Sequence, residues 1–267
     1  MIPLHDDNPT TTRPLVTWLL IGSCVALFLW QITLSVRDNH ELIYGLGLIP
    51  AVLFGEVELD QDIRLLPTMA TLITSMFLHG GFLHVGGNML YLWIFGNNVE
   101  DSMGHGRFIV FYLLCGVAAG LTQAVSDSSS VLPMIGASGA IGGVLGAYLI
   151  LHPKARVLVV LPIFIIIYFL RIRAFFVLGF WFVLQLVNSI IFNESSGGGV
   201  AYWAHIGGFL AGAGLVLLFR KKGVLLFDQN RPASFSEDQV PRLPWIERRY
   251  SLLGKRVQKS YIKRFFN

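Results

Sequence analysis

The chain has 267 residues, 54% of them hydrophobic and only 13% charged. A soluble domain carries about 25% charged residues, so this composition excludes a soluble globular protein and makes lipid part of the solvent. The net charge of +4 is modest, but basic residues crowd the chain after Leu218, which in so apolar a chain suits an anionic membrane surface and argues against nucleic acid.

The first thirteen residues are polar and acidic, unlike the basic leader of a signal peptide. The apolar run that follows, 15–36, is too long for a signal h-region and reads as a permanent anchor. A spanning helix needs about 20 apolar residues. Six runs fit this requirement, some loosely: 15–36, 83–97, 108–125, 135–151, 174–192 and 200–219. The expected fold class is an all-α polytopic membrane protein. It comprises a cytoplasmic N-terminus (1–13), a six-helix membrane domain (14–220) and a basic cytoplasmic tail (221–267). The first external loop, about 37–82, is long, partly amphipathic and holds Glu56, Glu58, Asp60 and Asp62. Cys24 and Cys115 both sit in apolar runs, which speaks against a disulfide framework or a CxxC metal site.

A seventh apolar stretch, 157–170, has 14 residues, contains Pro162 and is rich in Val and Ile. It is short for a span, and Lys154 and Arg156 before it match Arg171 and Arg173 after it. Such flanks suit a segment that returns to the same side, interfacial or re-entrant. With six spans, the inside segments hold Arg13, Arg107, Lys154, Arg156, Arg171, Arg173 and the basic tail, while the outside loops hold only Arg37 and Arg64. This agrees with the positive-inside bias; a seventh span would put the basic tail outside. The reading is a multi-pass protein of the cell (plasma) membrane with both termini cytoplasmic.

On the fourth run, Gly139 with Gly143 and Gly142 with Gly146 form overlapping GxxxG pairs. Gly208 and Gly212 repeat the spacing on the sixth. Small residues four apart let helix backbones approach closely in lipid. Each glycine face carries one polar residue near its outer end: Ser138 and His205. Ser138, in Gly136-Ala137-Ser138-Gly139, stands where a loop enters a helix, either as an N-cap or as a nucleophile beside free backbone N–H groups. His205 is an ionisable group inside a span, structural or functional. The two depths agree within a few ångströms at 1.5 Å per residue, which pairs a nucleophile with a base and predicts direct contact. No buried acid stands at a suitable spacing for a third member.

The segment from Phe77 to Asn88 holds His79, His84 and Asn88. His84 and Asn88, i and i+4, share a helix face and both can donate hydrogen bonds. His79 and His84 are poorly spaced for a metal, and no nearby carboxylate or cysteine completes a ligand set. No metal or other cofactor is expected.

The order His79-x4-His84-x3-Asn88, Gly136-x-Ser138-Gly139 and Ala204-His205-x-Gly207-Gly208 resembles the rhomboid family of intramembrane serine proteases, over roughly residues 14–220. The resemblance implies that Ser138 is the nucleophile and His205 the general base. It implies an oxyanion hole made by His84, Asn88 and the Ser138 backbone N–H. It also implies that His79 organises the loop before the second span, and that Glu100 and Arg107 belong to the polar turn between the second and third. Two family features are missing. No Trp-Arg pair lies between 37 and 82, and the position one turn after the serine, where some members stack an aromatic ring on the histidine, is Gly142. The implied activity is hydrolysis of peptide bonds in or near the transmembrane segment of single-span membrane proteins. A non-catalytic membrane chaperone on the same scaffold and a small-solute transporter are the rival classes.

In the tail, Tyr250, Leu253, Val257, Tyr261 and Phe265 recur at helical spacing, with Arg248, Arg249, Lys255, Arg256, Lys259, Lys263 and Arg264 around them. A basic amphipathic helix of this kind lies on anionic lipid.

Overall fold

The computed structural model describes residues 1–163, 166–191 and 200–227. The helix expected in the tail lies outside the described residues, as does the end of the fifth apolar run.

The chain opens with a short strand, β1 (Ile2–Asp6), and then helix α1 (Leu15–Gln31). The connection expected to be a long loop is largely helical: α2 (Val36–Leu46), α3 (Pro50–Leu53) and a run of tight turns over Thr68–Phe77, within which Thr71–Thr74 is α4. Ser35 caps α2 by accepting the Asp38 N–H at 3.1 Å, and Arg37 pairs with Glu41 one turn on. Then follow α5 (Phe82–Met103), α6 (His105–Ser126) and α7 (Ser138–Leu151), a hairpin of β2 (Arg156–Ile163) and β3 (Ile166–Arg173), and finally α8 (Ala174–Ile191) and α9 (Tyr202–Phe219). Three of these helices, α6, α8 and α9, are long and apolar enough by themselves to cross a membrane. Shorter apolar helices include α1 and α7.

Helix α7 is the centre of the bundle, buried along almost its whole length. It is apolar all round, as a helix with no solvent-facing side must be. Its glycines meet those of α9. A Cβ on Gly208 would collide with the Gly139 carbonyl, and one on Gly212 with the Gly143 carbonyl. Gly146 faces the Phe209 carbonyl in the same way. The two backbones touch because no side chain stands between them, the packing that small residues at four-residue spacing allow. The Tyr112, Tyr148, Phe95, Phe108 and Phe111 side chains fill the remaining interior and are essentially inaccessible.

Two carboxylates tie the other end of the bundle together. Glu100, on α5, is fully buried and accepts hydrogen bonds from the backbone N–H of Val16 (2.9 Å) and Thr17 (2.8 Å) and from Thr17 Oγ1 (2.7 Å). Pro14 at the start of α1 provides no side-chain cap, so a carboxylate from another helix satisfies the free N–H groups and meets the positive end of the helix dipole. His105 Nδ1 lies 2.5 Å from the same carboxylate. Asp6, at the end of β1, accepts from Asn98 Nδ2 (2.8 Å) and Tyr148 OH (2.5 Å). Burial pushes its carboxyl above the ordinary value, against the opposing pull of His5 and the Tyr148 hydroxyl.

The all-α expectation needs correction. Of this stretch, residues 157–163 and 166–170 lie in the antiparallel pair β2–β3, and β1 pairs with β2 to complete a three-stranded sheet in the order β1-β2-β3. The run is dense in β-branched residues, which pack well on a pleated surface, and Pro162 is barred from a helix interior. Val157 and Val159 point into the core, while Ile167, Tyr168, Phe169 and Leu170 are exposed. Arg156 pairs with Arg173 in the ladder, so the stretch begins and ends side by side, as its matched basic flanks suggested. β1 carries a register irregularity between Pro3 and His5, where Pro3 has no N–H to give the ladder.

Candidate active site

Ser138 is the first residue of α7, and the turn that delivers it depends on Gly136. That residue has φ +124°, a conformation open to glycine and strained for side chains. A Cβ there would also lie 2.7 Å from His84 Nε2 and 3.7 Å from Asn88 Nδ2. The segment ahead of it is held by backbone hydrogen bonds. Leu48 and Met134 exchange backbone hydrogen bonds of 3.0 and 2.8 Å, and the Gly136 N–H donates to the Ser75 carbonyl at 2.8 Å. The Ser138 side chain does not act as an N-cap: the cap position is Ala137, and Ser138 Oγ lies 2.8 Å from His205 Nε2.

His205 is buried on the first turn of α9. The Ala204 N–H, one of the free donors at that helix start, is taken by Gln123 Oε1 of α6 at 3.1 Å. On its other side, His205 Nδ1 lies 2.8 Å from Gln185 Oε1, and the Trp181 ring lies against the imidazole with centroids 5.7 Å apart and planes 36° apart. Both supports come from α8. Gly142, where a stacking ring was noted as missing, has another use: a Cβ there would meet the His205 carbonyl at 2.9 Å. A ring at that position would push α9 away from α7.

His84 and Asn88 stand on the first two turns of α5. The Gly80 N–H approaches His84 Nδ1 at 3.3 Å, so Nδ1 accepts and the neutral ring carries its proton on Nε2. Both Nε2 of His84 and Nδ2 of Asn88 face the turn before Ser138. Asn88 Nδ2 is buried without a hydrogen-bond partner, a state that costs about 1–3 kcal/mol and that asks for an explanation wherever it occurs. His79 packs its ring edge-on against His84, with centroids 5.1 Å apart. The His79 backbone N–H donates to Gln31 Oε1 at 3.2 Å, and its ring Nδ1 lies 3.2 Å from the Phe77 carbonyl. These bonds tie the segment before α5 to the end of α1.

Ser138, His205, His84 and Asn88 therefore line one cavity, of about 750 Å³, with apolar walls from residues such as Met76, Leu83, Tyr91 and Ile135. Trp181 also lines it, and Gln185 sits behind His205. Sequence reasoning missed both of these α8 residues. The available signal was one amide, Gln185, in the middle of an apolar run. In chemical terms the arrangement offers a hydroxyl beside an imidazole, with two N–H donors facing the approach to that hydroxyl.

A helical membrane protein with a polar site enclosed in its bundle is the class these features define. The chain belongs to the rhomboid family: residues 67–222 match its Rhomboid domain. It is similar to RHOMBOID-like protein 5 of Arabidopsis thaliana, 33% identical over 159 residues, which is 56% of this chain and 44% of that protein. It is 33% identical over 132 residues to Rhomboid protein 1, mitochondrial, of Saccharomyces cerevisiae, covering 44% and 38% of the two chains. Rhomboid protease GluP of Bacillus subtilis is 37% identical over 208 residues, covering 77% of this chain and 36% of the relative. In each case the match spans less than half the length of the curated relative.

Proposed function

We propose that this protein is an intramembrane serine endopeptidase that cleaves single-span membrane proteins in or near their transmembrane segment. The observation that carries this reading is the 2.8 Å contact between Ser138 Oγ and His205 Nε2 at the edge of the cavity. His205 Nε2 takes the proton of Ser138 as Oγ bonds to the scissile carbonyl carbon. The charge that develops on the carbonyl oxygen is met by His84 Nε2–H, Asn88 Nδ2–H and the Ser138 backbone N–H. The tetrahedral adduct collapses, the C–N bond breaks, and the departing amine takes the proton from His205. Water, deprotonated by His205, then adds to the ester carbon; the bond to Ser138 Oγ breaks, and His205 returns the proton to that oxygen. The unspent Asn88 donor fits this role, because its partner exists only during reaction.

Six spans, α1 and α5 to α9, carry the domain in this proposal, in the cell membrane with both termini cytoplasmic. The distribution of Arg and Lys supports that orientation. The test is labelling with a fluorophosphonate probe. The wild type reacts, and Ser138→Ala and His205→Ala lose the label. Undiminished labelling in Ser138→Ala would sink the proposal, and it would also sink if an unreactive wild type failed to cleave a tagged single-span test protein.

A further inference from the structure

The far side of His205 is as ordered as the side facing Ser138. Gln185 is buried, and its amide has two chemically different ends. Nε2 lies 3.2 Å from the Trp181 carbonyl oxygen, a group that only accepts. The NH2 end is thereby committed to Trp181, and the oxygen end lies 2.8 Å from His205 Nδ1. An amide oxygen also only accepts, so the imidazole must donate from Nδ1. A neutral ring carries one proton. Nε2 is then bare, and Nε2 is the nitrogen that lies 2.8 Å from Ser138 Oγ. The Trp181 ring, one helical turn before Gln185, lies against the imidazole and opposes its rotation.

We infer that Gln185 is a positioning residue: it holds His205 in the tautomer protonated on Nδ1 and so leaves Nε2 free to take the Ser138 proton. The inference rests on the serine–histidine reading above. A carboxylate in the same place would orient the ring too, but at the desolvation cost of burying its charge. The amide orients the ring without a buried charge. Orientation is also spread over three helices, since the hydroxyl comes from α7, the imidazole from α9 and both supports of the imidazole from α8.

The experiment uses the full chain in detergent with a tagged single-span test protein, comparing wild type with Gln185→Leu, Gln185→Glu and Ser138→Ala. Gln185→Leu keeps the side-chain size and removes the acceptor. It should lower kcat by roughly 10²- to 10⁴-fold, the range for a lost or misoriented general base, with KM little changed. Gln185→Glu still accepts from Nδ1 and should retain far more of kcat. Nitrogen-15 spectra of labelled histidine should show the Nδ1–H form of His205 in the wild type and a mixture of tautomers in Gln185→Leu. A wild-type ring protonated on Nε2 would overturn the inference even if Gln185→Leu failed to fold. An unchanged kcat in a folded Gln185→Leu would overturn it as well. Cleavage by Ser138→Ala is a separate outcome: it would remove the serine from the chemistry, and this inference with it.

Discussion

Gly212 faces the carbonyl of Gly143 so closely that no Cβ fits between them. The obstacle is backbone on both sides, which cannot swing aside as a side chain would. Gly214, two residues on in the same helix, has open space around it. Gly212→Ala should therefore push α9 off α7, lower thermal stability by about 1–3 kcal/mol as overpacking does, and weaken fluorophosphonate labelling by separating Ser138 from His205. Gly214→Ala should leave both unchanged, or raise stability by up to about 1 kcal/mol through helix propensity. Equal effects of the two substitutions would mean that the close approach is not what holds the site.

Asn88→Ala should reduce turnover by roughly 10- to 1000-fold, the range for a lost oxyanion donor, with little loss of stability. The reason lies in the resting state: Asn88 Nδ2 has no partner to lose. Steady-state cleavage together with a thermal melt checks this. Full turnover in Asn88→Ala, with Ser138→Ala inactive, would take Asn88 out of the mechanism.

Glu100→Ala should be among the most destabilising single changes. It strands two backbone N–H groups and the Thr17 hydroxyl, and hydrogen bonds to charged groups contribute about 1.5–3 kcal/mol each. Glu100→Gln, which keeps an acceptor oxygen, should cost less. Thermal unfolding in detergent measures both, and a melt within error of wild type for Glu100→Ala would refute the capping role.

Asp6 gives stability a pH dependence of known sign. Burial raises its folded carboxyl above the ordinary value of 3.8, so the folded chain binds this proton more readily than the unfolded one. The contribution is full below the ordinary value and fades as pH rises through the raised one. Asp6→Asn retains an acceptor for Tyr148 and Asn98 and should flatten stability as pH rises past the ordinary carboxyl value, while Asp6→Ala should destabilise by stranding the Tyr148 hydroxyl. An unchanged pH slope in Asp6→Asn would show that another group sets it.

The β2–β3 hairpin should keep its two ends on one face of the membrane. Cysteines placed at Lys154, just before β2, and at Arg173, the last residue of β3, should react with an impermeant thiol reagent from the same side, since the two strands pair along their length. Labels arriving from opposite faces would break the topology.

Much of the helical layout is legible as apolar runs, and the misses have physical causes. The second run ends at residue 97 by hydropathy, but α5 continues to Met103. Its last turns are polar because Asn98 and Glu100 serve Asp6 and the start of α1, partners that one run cannot reveal. The first run extends to residue 36, but α1 stops at Gln31, where the chain turns and Ser35 caps a new helix. The hairpin was visible as something other than a span, from its length, Pro162 and its basic flanks. Its third strand was not, because β1 is five residues long and has meaning only beside β2. Ser138, His205, His84 and Asn88 stood out as polar residues at interpretable spacings in apolar surroundings. Gln185 and Trp181 did not, because nothing local ties α8 to a histidine 20 residues away.

The sheet also bears on the order in which the molecule can be completed. Asp6 and Tyr148, which share a hydrogen bond, are separated by 142 residues, and β1 has no partner strand until β2 has been made. During synthesis its first residues must wait while α1, α5, α6 and α7 are made, exposing Ile2 and Leu4 on an open edge of the kind that recruits other chains. Pro3 interrupts that edge from the start. Closing so long a loop is entropically costly and slow, so β1 should dock late, after α5 and α7 have brought Asn98 and Tyr148 together to receive Asp6.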